Sequence, residues 1–378
     1  MTGVAVTSQG LTVFGTHRGS LVDLLAGAGE EALEGVGRKP VDLLVVGTMA
    51  AGSFAGVENV VSRVADRLGL DTAAGVRVEA ASASGAAAFH AGVTAVRSGS
   101  ARRALVVAGE TMTARSTTET STILARSLAP GEQAVGATMV GLAALIAQRY
   151  LSVHDLRADA LDAVSEQARA CAAHNPNAQF RTAVSAAEVS ASRPVALPLR
   201  LLHCSARSDG AAAVVVEAGE APVQVRSLGQ GLDAQTLADR ADLTSFRATR
   251  TAVLRAFETA RLTRKDIEFA ELHDAFAPFA LIDLEDIGMC GPGEGAAWFS
   301  KGWTRPDGRF PVNPSGGLLG RGHPVGASGL AQIVEVTRQL NGDAGAMAIA
   351  KRPRMGLAQS IGGIGTHNFV TVLERTDG

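Results

Sequence analysis

The residues best equipped for chemistry in this 378-residue chain are a serine set among small residues and two histidines, one at a strand end and one in a glycine loop. Ser82 lies in Ala80-Ala81-Ser82-Ala83-Ser84-Gly85, between the β-branched stretch Val76-Arg77-Val78 and the apolar positions Phe89, Val93 and Val96, which recur at helical spacing. This pattern predicts a strand that turns sharply into a helix. Ser82 or Ser84 would then face the unpaired N–H groups and the positive dipole end of that helix. A serine hydroxyl so placed attacks a carbonyl only when a base removes its proton. His273 ends the strand-like run Glu268-Phe269-Ala270-Glu271-Leu272, and His323 lies in the Gly- and Pro-rich loop Val312–Val325. Both are candidates for a functional role. His90, His174, His203 and His367 lack such a setting and read as structural. Cys290, in Met289-Cys290-Gly291-Pro292-Gly293, reads as a loop cysteine rather than a nucleophile.

The length implies two domains or two fused halves, with enough apolar content to bury both. Charged residues are 19%, aromatics 4%, and there are 43 glycines, which suits a close-packed α/β enzyme and excludes a disordered chain. A net charge of −2 gives no footprint for nucleic acid. The cysteines Cys171, Cys204 and Cys290 form no C-x-x-C pair, so a reducing compartment is expected. No signal-peptide pattern and no apolar run of about 18 residues is present, so the expectation is a soluble cytoplasmic protein without membrane contact. No metal-ligand spacing is evident.

Helical and strand patterns alternate along the chain. Leu21–Leu33 reads as a helix, Val41–Gly47 as a buried strand, Met49–Leu70 as a loop and helix, and Ala104–Gly109 as a second buried strand. This order predicts a mostly parallel sheet. Residues from Glu110 to Leu202 read as a helical insertion, with helices at Thr138–Tyr150 and Leu156–Ala173 and a binding role, followed by a strand at Ala211–Glu217. The second half opens with a strand at Val223–Leu228. It continues through a helix at Thr249–Leu262, the strand ending at His273, a helix at Gly326–Leu340, a strand at Gly345–Lys351, a glycine loop at Ser360–Gly365 and a last strand at Phe369–Glu374. The division falls at 1–222 and 223–378, two pseudo-duplicated α/β halves.

Four segments in register carry a resemblance to a known family. Ser82-Ala83-Ser84-Gly85 resembles the active-site loop of the thiolase superfamily, with serine where the family has its nucleophilic cysteine. His273-Asp274-Ala275-Phe276 is similar to the histidine form of the second signature, as in sterol-carrier-protein-type thiolases. Asn313-Pro314-Ser315-Gly316-Gly317 with Gly322-His323-Pro324-Val325-Gly326-Ala327-Ser328-Gly329 resembles the Gly-His-Pro signature. Ser360-Ile361-Gly362-Gly363 stands where many members carry a second cysteine followed by glycines, and Leu202–Ser205 with Ser208–Ala213 also fits.

The resemblance implies a thiolase fold, with two βαβαβ halves in a layered αβαβα core and a helical loop domain inserted in the first. It implies a Claisen-type acyltransferase acting on coenzyme A thioesters, needing no other cofactor. Ser82 would be the nucleophile, native or introduced in place of cysteine, His323 its base and His273 an oxyanion donor. Gly363 and Asn313 would support the oxyanions. Because serine replaces both family cysteines and Ala275 stands where some members keep another, two alternatives stay open: a thiolase-like aldolase or lyase with no covalent step, and a non-catalytic subunit. Arg102, Arg103, Arg115 and Arg126 are arginines available for the nucleotide phosphates, none of them assigned. A homodimer or homotetramer is implied, and some members with this second signature work with a small OB-fold and zinc-ribbon partner.

Overall fold

The structure is a computed structural model and describes residues 3–376. Eleven strands are present among these residues: β1 (Val4–Leu11), β2 (Leu43–Gly47), β3 (Ala74–Val78), β4 (Arg103–Glu110), β5 (Pro194–Ala196), β6 (Leu199–Arg200), β7 (Gly210–Ala218), β8 (Val223–Leu232), β9 (Phe269–Glu271), β10 (Met355–Gly362) and β11 (His367–Arg375). Nine form one sheet in the order β3-β2-β4-β7-β1-β8-β11-β10-β9, while β5 and β6 make a small hairpin. Among the described residues, the two halves of the sheet join through the pairing of Ala5 with Gln224.

Side-chain alternation along the strands builds the layers. Val45, Val106, Val214 and Val216 point inward to one core, whereas Leu44, Val46, Leu105, Val107 and Val215 point to another beneath the helices Leu21–Glu34 and Val60–Leu68. The inner core also holds Phe89 and Val93 of the helix Ser84–Arg97 and Leu330, Ile333 and Val334 of the helix Ser328–Asn341. These central helices are buried nearly all round, so each large apolar side chain contributes about 1.5–3 kcal/mol. They touch backbone to backbone: a Cβ on Gly85 would lie 2.7 Å from Leu330 N, and one on Gly329 2.8 Å from Ala86 N. On the far side of the second half, the helix Arg247–Ala260 packs on β8, where a Cβ on Gly229 would meet the Ala252 carbonyl at 1.9 Å. The result is the layered α/β architecture expected.

Several details differ from the sequence reading. The sheet is mixed rather than mostly parallel, because only β2–β3, β2–β4 and β9–β10 run parallel. The sequence pattern had no means of showing that β1 inserts antiparallel beside β7, or that β10 and β11 form a hairpin. Gly345–Lys351 is not a strand. It holds a 3-10 turn at Gly345–Met347, opened by Gly345 at φ +57°, and its apolar Met347 and Ile349 pack as a buried loop. The strand instead begins at Met355 and takes in Ser360–Gly362, which had read as loop. Met49–Leu70 divides into the helices Ala51–Ala55 and Val60–Leu68, split at Gly56 with φ +66°. The segment 110–202 is helical, with Thr117–Ala125, Met139–Val153 and Asp162–Ala172 as its main elements. No helix among the described residues is long and apolar enough to cross a membrane.

Candidate active site

The turn after β3 separates the roles of its two serines. Ala81 adopts a left-handed backbone, φ 48°, which a residue with a Cβ holds only when its surroundings fix it. Ser84 does the fixing: its hydroxyl accepts from Ala80 N–H at 3.0 Å and donates to the Ala81 carbonyl at 2.6 Å. Ser84 is thereby consumed in the turn, and Ser82 is left on the wall of a cavity. The Ser82 hydroxyl donates to the Ile361 carbonyl at 2.9 Å, across to the end of β10.

That cavity, of about 250 Å³, is also lined by His273, His323 and Gly363. The sequence separates these residues widely, and the topology brings them together because β9 and β10 are neighbours and the two central helices touch. The His273 and His323 rings meet edge to face, centroids 5.1 Å apart at 87°. His323 Nδ1 lies 2.7 Å from Ser328 Oγ, and the Ser328 proton is directed to the Pro324 carbonyl at 3.0 Å. Ser328 therefore accepts from Nδ1–H, which leaves Nε2 of His323 unprotonated and free to act as a base. The main-chain N–H of His323 donates to Ser208 Oγ at 2.9 Å, and that of His273 to Gln359 Oε1 at 3.0 Å.

Both imidazoles are uncharged near neutral pH. Burial, with the positive charge of Arg321, pushes His323 down to about 3, and burial with His323 and Arg321 as neighbours puts His273 well below its ordinary value. His273 Nδ1 is buried without a partner among the described residues. A neutral imidazole can donate to a developing oxyanion without first losing a proton to solvent.

The loop carrying His323 rests on a buried polar foundation. Asp274 accepts from Leu318 N–H at 2.6 Å, where the short helix Gly317–Arg321 begins. Arg321, with no exposed surface, donates to Ser315 Oγ at 3.1 Å and lies 3.9 Å from Glu271 and 3.8 Å from Glu335. Ser315 in turn gives its N–H and O–H to the two Glu271 oxygens at 3.1 and 2.7 Å.

Other expected positions fall as follows. Gly363, at φ +64° in the β10–β11 turn, lines the cavity, and its N–H and that of Ser82 have no hydrogen-bond partner among the described residues. Asn313 does not line the cavity. Its side-chain oxygen accepts from Leu272 N–H at 2.6 Å, so it braces the strand end behind His273 instead of reaching an oxyanion. Ser360 does not line it either, being buried on β10 with its hydroxyl toward Gly329. Arg103 pairs with Glu217 at 2.6 Å at the opposite end of β4 from the site, about 23 Å away at ~3.3 Å per residue. Arg115 and Arg126 are tied to the Phe54 carbonyl and Ser53 Oγ. Arg193 and Arg207 line the cavity and were not singled out from the sequence. Ser328 was missed as the orienter of His323, although it lies five residues on within the same glycine-rich signature, where a helical turn returns it to the ring. Cys204 lines the cavity, but burial pushes its thiol up to about 12, and Cys171 and Cys290 are raised likewise. Among the described residues no group of His, Cys, Asp and Glu could hold a metal ion.

Comparison with known proteins identifies the family. The thiolase N-terminal domain model matches residues 4–196, and the thiolase C-terminal domain-like model residues 229–375. An acetyl-CoA acetyltransferase of Methanothermobacter thermautotrophicus is 39% identical, over 99% of this chain and 100% of its own. The benzoylsuccinyl-CoA thiolase subunit BbsB of Thauera aromatica is 32% identical over 76% of each. The Ltp2–ChsH2(DUF35) aldolase shares the fold at TM-score 0.85, with 23% identity and coverage of 99% and 98%, and human mitochondrial 3-ketoacyl-CoA thiolase at 0.75, with 17% identity and 99% of each chain. The chain belongs to the thiolase family.

Proposed function

We propose that this protein is a thiolase-type C-acyltransferase that joins or cleaves acyl groups carried as coenzyme A thioesters. The observation that carries the reading is the convergence of Ser82, His273, His323 and Gly363 on one apolar cavity. In the condensing direction His323 Nε2 takes the proton of Ser82 as its oxygen attacks the thioester carbon, after Ser82 rotates away from the Ile361 carbonyl. The N–H groups of Ser82 and Gly363 receive the oxyanion, since glycine lets the main chain come close. Coenzyme A leaves as thiolate and takes that proton from His323. A second thioester then loses a proton from the carbon next to its carbonyl to His323, and His273 donates to the enolate oxygen. That carbon attacks the Ser82 ester, the new C–C bond replaces the C–O bond, and Ser82 regains its proton from His323. No cofactor beyond the thioester enters these steps.

One observation favours a second reading, a thiolase-like aldolase without a covalent step. The Ser82 proton is already committed to the Ile361 carbonyl, and a serine ester exchanges with thiols less readily than a thioester does. The likeness in fold to the Ltp2–ChsH2(DUF35) aldolase supports that reading too. Incubation with acetyl- and hexanoyl-CoA labelled in the acyl group, followed by peptide mapping, separates the two. Label on the Ser82 peptide, lost in Ser82→Ala, supports acyl transfer. No label, with cleavage of a 3-hydroxyacyl-CoA that survives Ser82→Ala, supports the aldolase. Neither result in any variant would leave a non-catalytic subunit. A homodimer or homotetramer, and a small OB-fold and zinc-ribbon partner, go with either enzyme reading. Among the described residues the outer edge of β3 is unpaired and its residues are mostly exposed, which suits pairing through the sheet edge. Light scattering of the purified protein tests the assembly.

A further inference from the structure

The walls of the cavity say more about the acyl group than its chemistry does. On one side stand Met112 and Val325, which belong to a small apolar cluster with Phe54 and Ile123. On the other stand Phe276 and Phe279, edge to face at 5.3 Å, with Phe279 packed in the same way on Phe246 at 5.0 Å. The deepest of these are almost without solvent contact: Met112 is 2% exposed, Phe279 1% and Val325 3%. Among the described residues no carboxylate or lysine lines the cavity. Its two cations differ in place, Arg207 being tied to the Arg115 carbonyl and Arg193 lying exposed beside Val195 and Leu201, which are themselves 39% and 43% exposed. The open rim is thus apolar and cationic, and the interior is mostly carbon, with the hydroxyls of Thr120, Ser121, Thr138 and Ser205 set among it.

Resting on the thioester reading above, we propose that the site selects apolar acyl chains longer than acetyl, and that Ala275, beside His273, is the residue whose small side chain keeps the space for them. An acetyl group has three heavy atoms. At roughly 30 Å³ per small group it fills about a third of the cavity, and the remaining wall, mostly carbon, offers water few partners. A longer chain would cover that wall, each buried methylene adding up to about fourfold in affinity. A terminal carboxylate between Met112 and Phe279 would lose its water away from Arg193 on the rim, with Arg207 held to the Arg115 carbonyl. Ala275 is 6% exposed and lines the cavity between His273 and Phe276, so a leucine there would project into the chain's path without removing a reacting group.

The test is calorimetric titration of three hydrolysis-resistant coenzyme A analogues, in which a methylene replaces the thioester sulfur, carrying acetyl, hexanoyl or succinyl groups. In the unaltered protein the hexanoyl analogue binds at least about tenfold more tightly than the acetyl one, and the succinyl one more weakly than acetyl. Ala275→Leu, with folding checked by its melting curve, binds acetyl and hexanoyl alike. Ala275→Gly, which leaves the space open, keeps the preference. Equal binding of acetyl and hexanoyl by the unaltered protein overturns the inference and leaves the thioester reading standing. A preference that survives Ala275→Leu removes the role given to Ala275. Failure of all three analogues, and of coenzyme A itself, to bind overturns both readings.

Discussion

The buried imidazoles His203 and His323 differ in their settings, and only the second is built to react. At His203, Nδ1 accepts from Arg200 N–H at 3.2 Å and Nε2 lies 2.8 Å from Asp162, whose other oxygen takes the Ser190 hydroxyl. A serine, a histidine and an aspartate are adjacent, yet the carboxylate sits in the middle and both ring nitrogens are engaged, so no lone pair remains for a substrate. At His323, one nitrogen is spent on Ser328 and the other faces a cavity shared with His273 and Ser82. The difference teaches that burial and neighbours of the right types do not make a catalytic site. What makes one is a nitrogen left unbonded toward space that a ligand can fill.

The comparison breaks first under exchange of the histidines. His323→Asn is expected to lower turnover by about 10²- to 10⁴-fold, the usual worth of a general base. His203→Gln should leave turnover within about threefold and instead cost ~1–3 kcal/mol of stability, since it strands a buried carboxylate. Initial rates beside urea denaturation would show it, and the reverse pattern would refute the contrast. The next largest effect is at Ser82. A thiol at this helix start loses its proton far more readily than a hydroxyl, so Ser82→Cys is expected to raise acyl labelling at least about tenfold, read by intact mass.

The pH dependence sharpens the same contrast. His323 titrates near 3 in the folded protein, so its base form is already full at pH 5, and kcat/KM should be flat from pH 7 to pH 5. A fall centred near 6.5 would place the base elsewhere. The linked stability has the sign of a depressed histidine. His90, lowered to about 3 by burial, and His323 are unprotonated when folded and take a proton when unfolded below 6.5. Their contribution is complete above about pH 6.5 and is lost as the pH falls toward 3. The smallest effect is expected at Cys204. Cys204→Ser should change turnover by less than about twofold, because a thiol raised to about 12 supplies no thiolate near neutrality, and loss of activity there would bring the cysteine back into the mechanism.

Much of this was legible in the sequence where a local rule applied. The Ser82 turn showed itself through small residues between a β-branched run and a helical period, and the His323 loop through its glycines. The sequence left Ser82 and Ser84 equivalent, because the choice depends on which hydroxyl closes a left-handed turn at Ala81. The mixed character of the sheet depended on β1 pairing with β7 roughly two hundred positions away, which no period records. Asn313 read as an oxyanion group from its place in a signature, whereas its bond to Leu272 is set by a backbone at φ 51°. The Arg321 foundation was invisible, since a lone arginine in a loop reads as surface until two distant glutamates are seen against it.

The central claim is that Ser82, His273, His323 and Gly363 bound one thioester site. A crystal structure of the protein with the hexanoyl methylene analogue tests it most directly. The analogue's carbonyl oxygen is expected within hydrogen-bond distance of the Gly363 N–H or the His273 ring, with the chain running between Met112 and Phe279. A carbonyl bound away from both histidines, or a chain directed out to solvent, would contradict it.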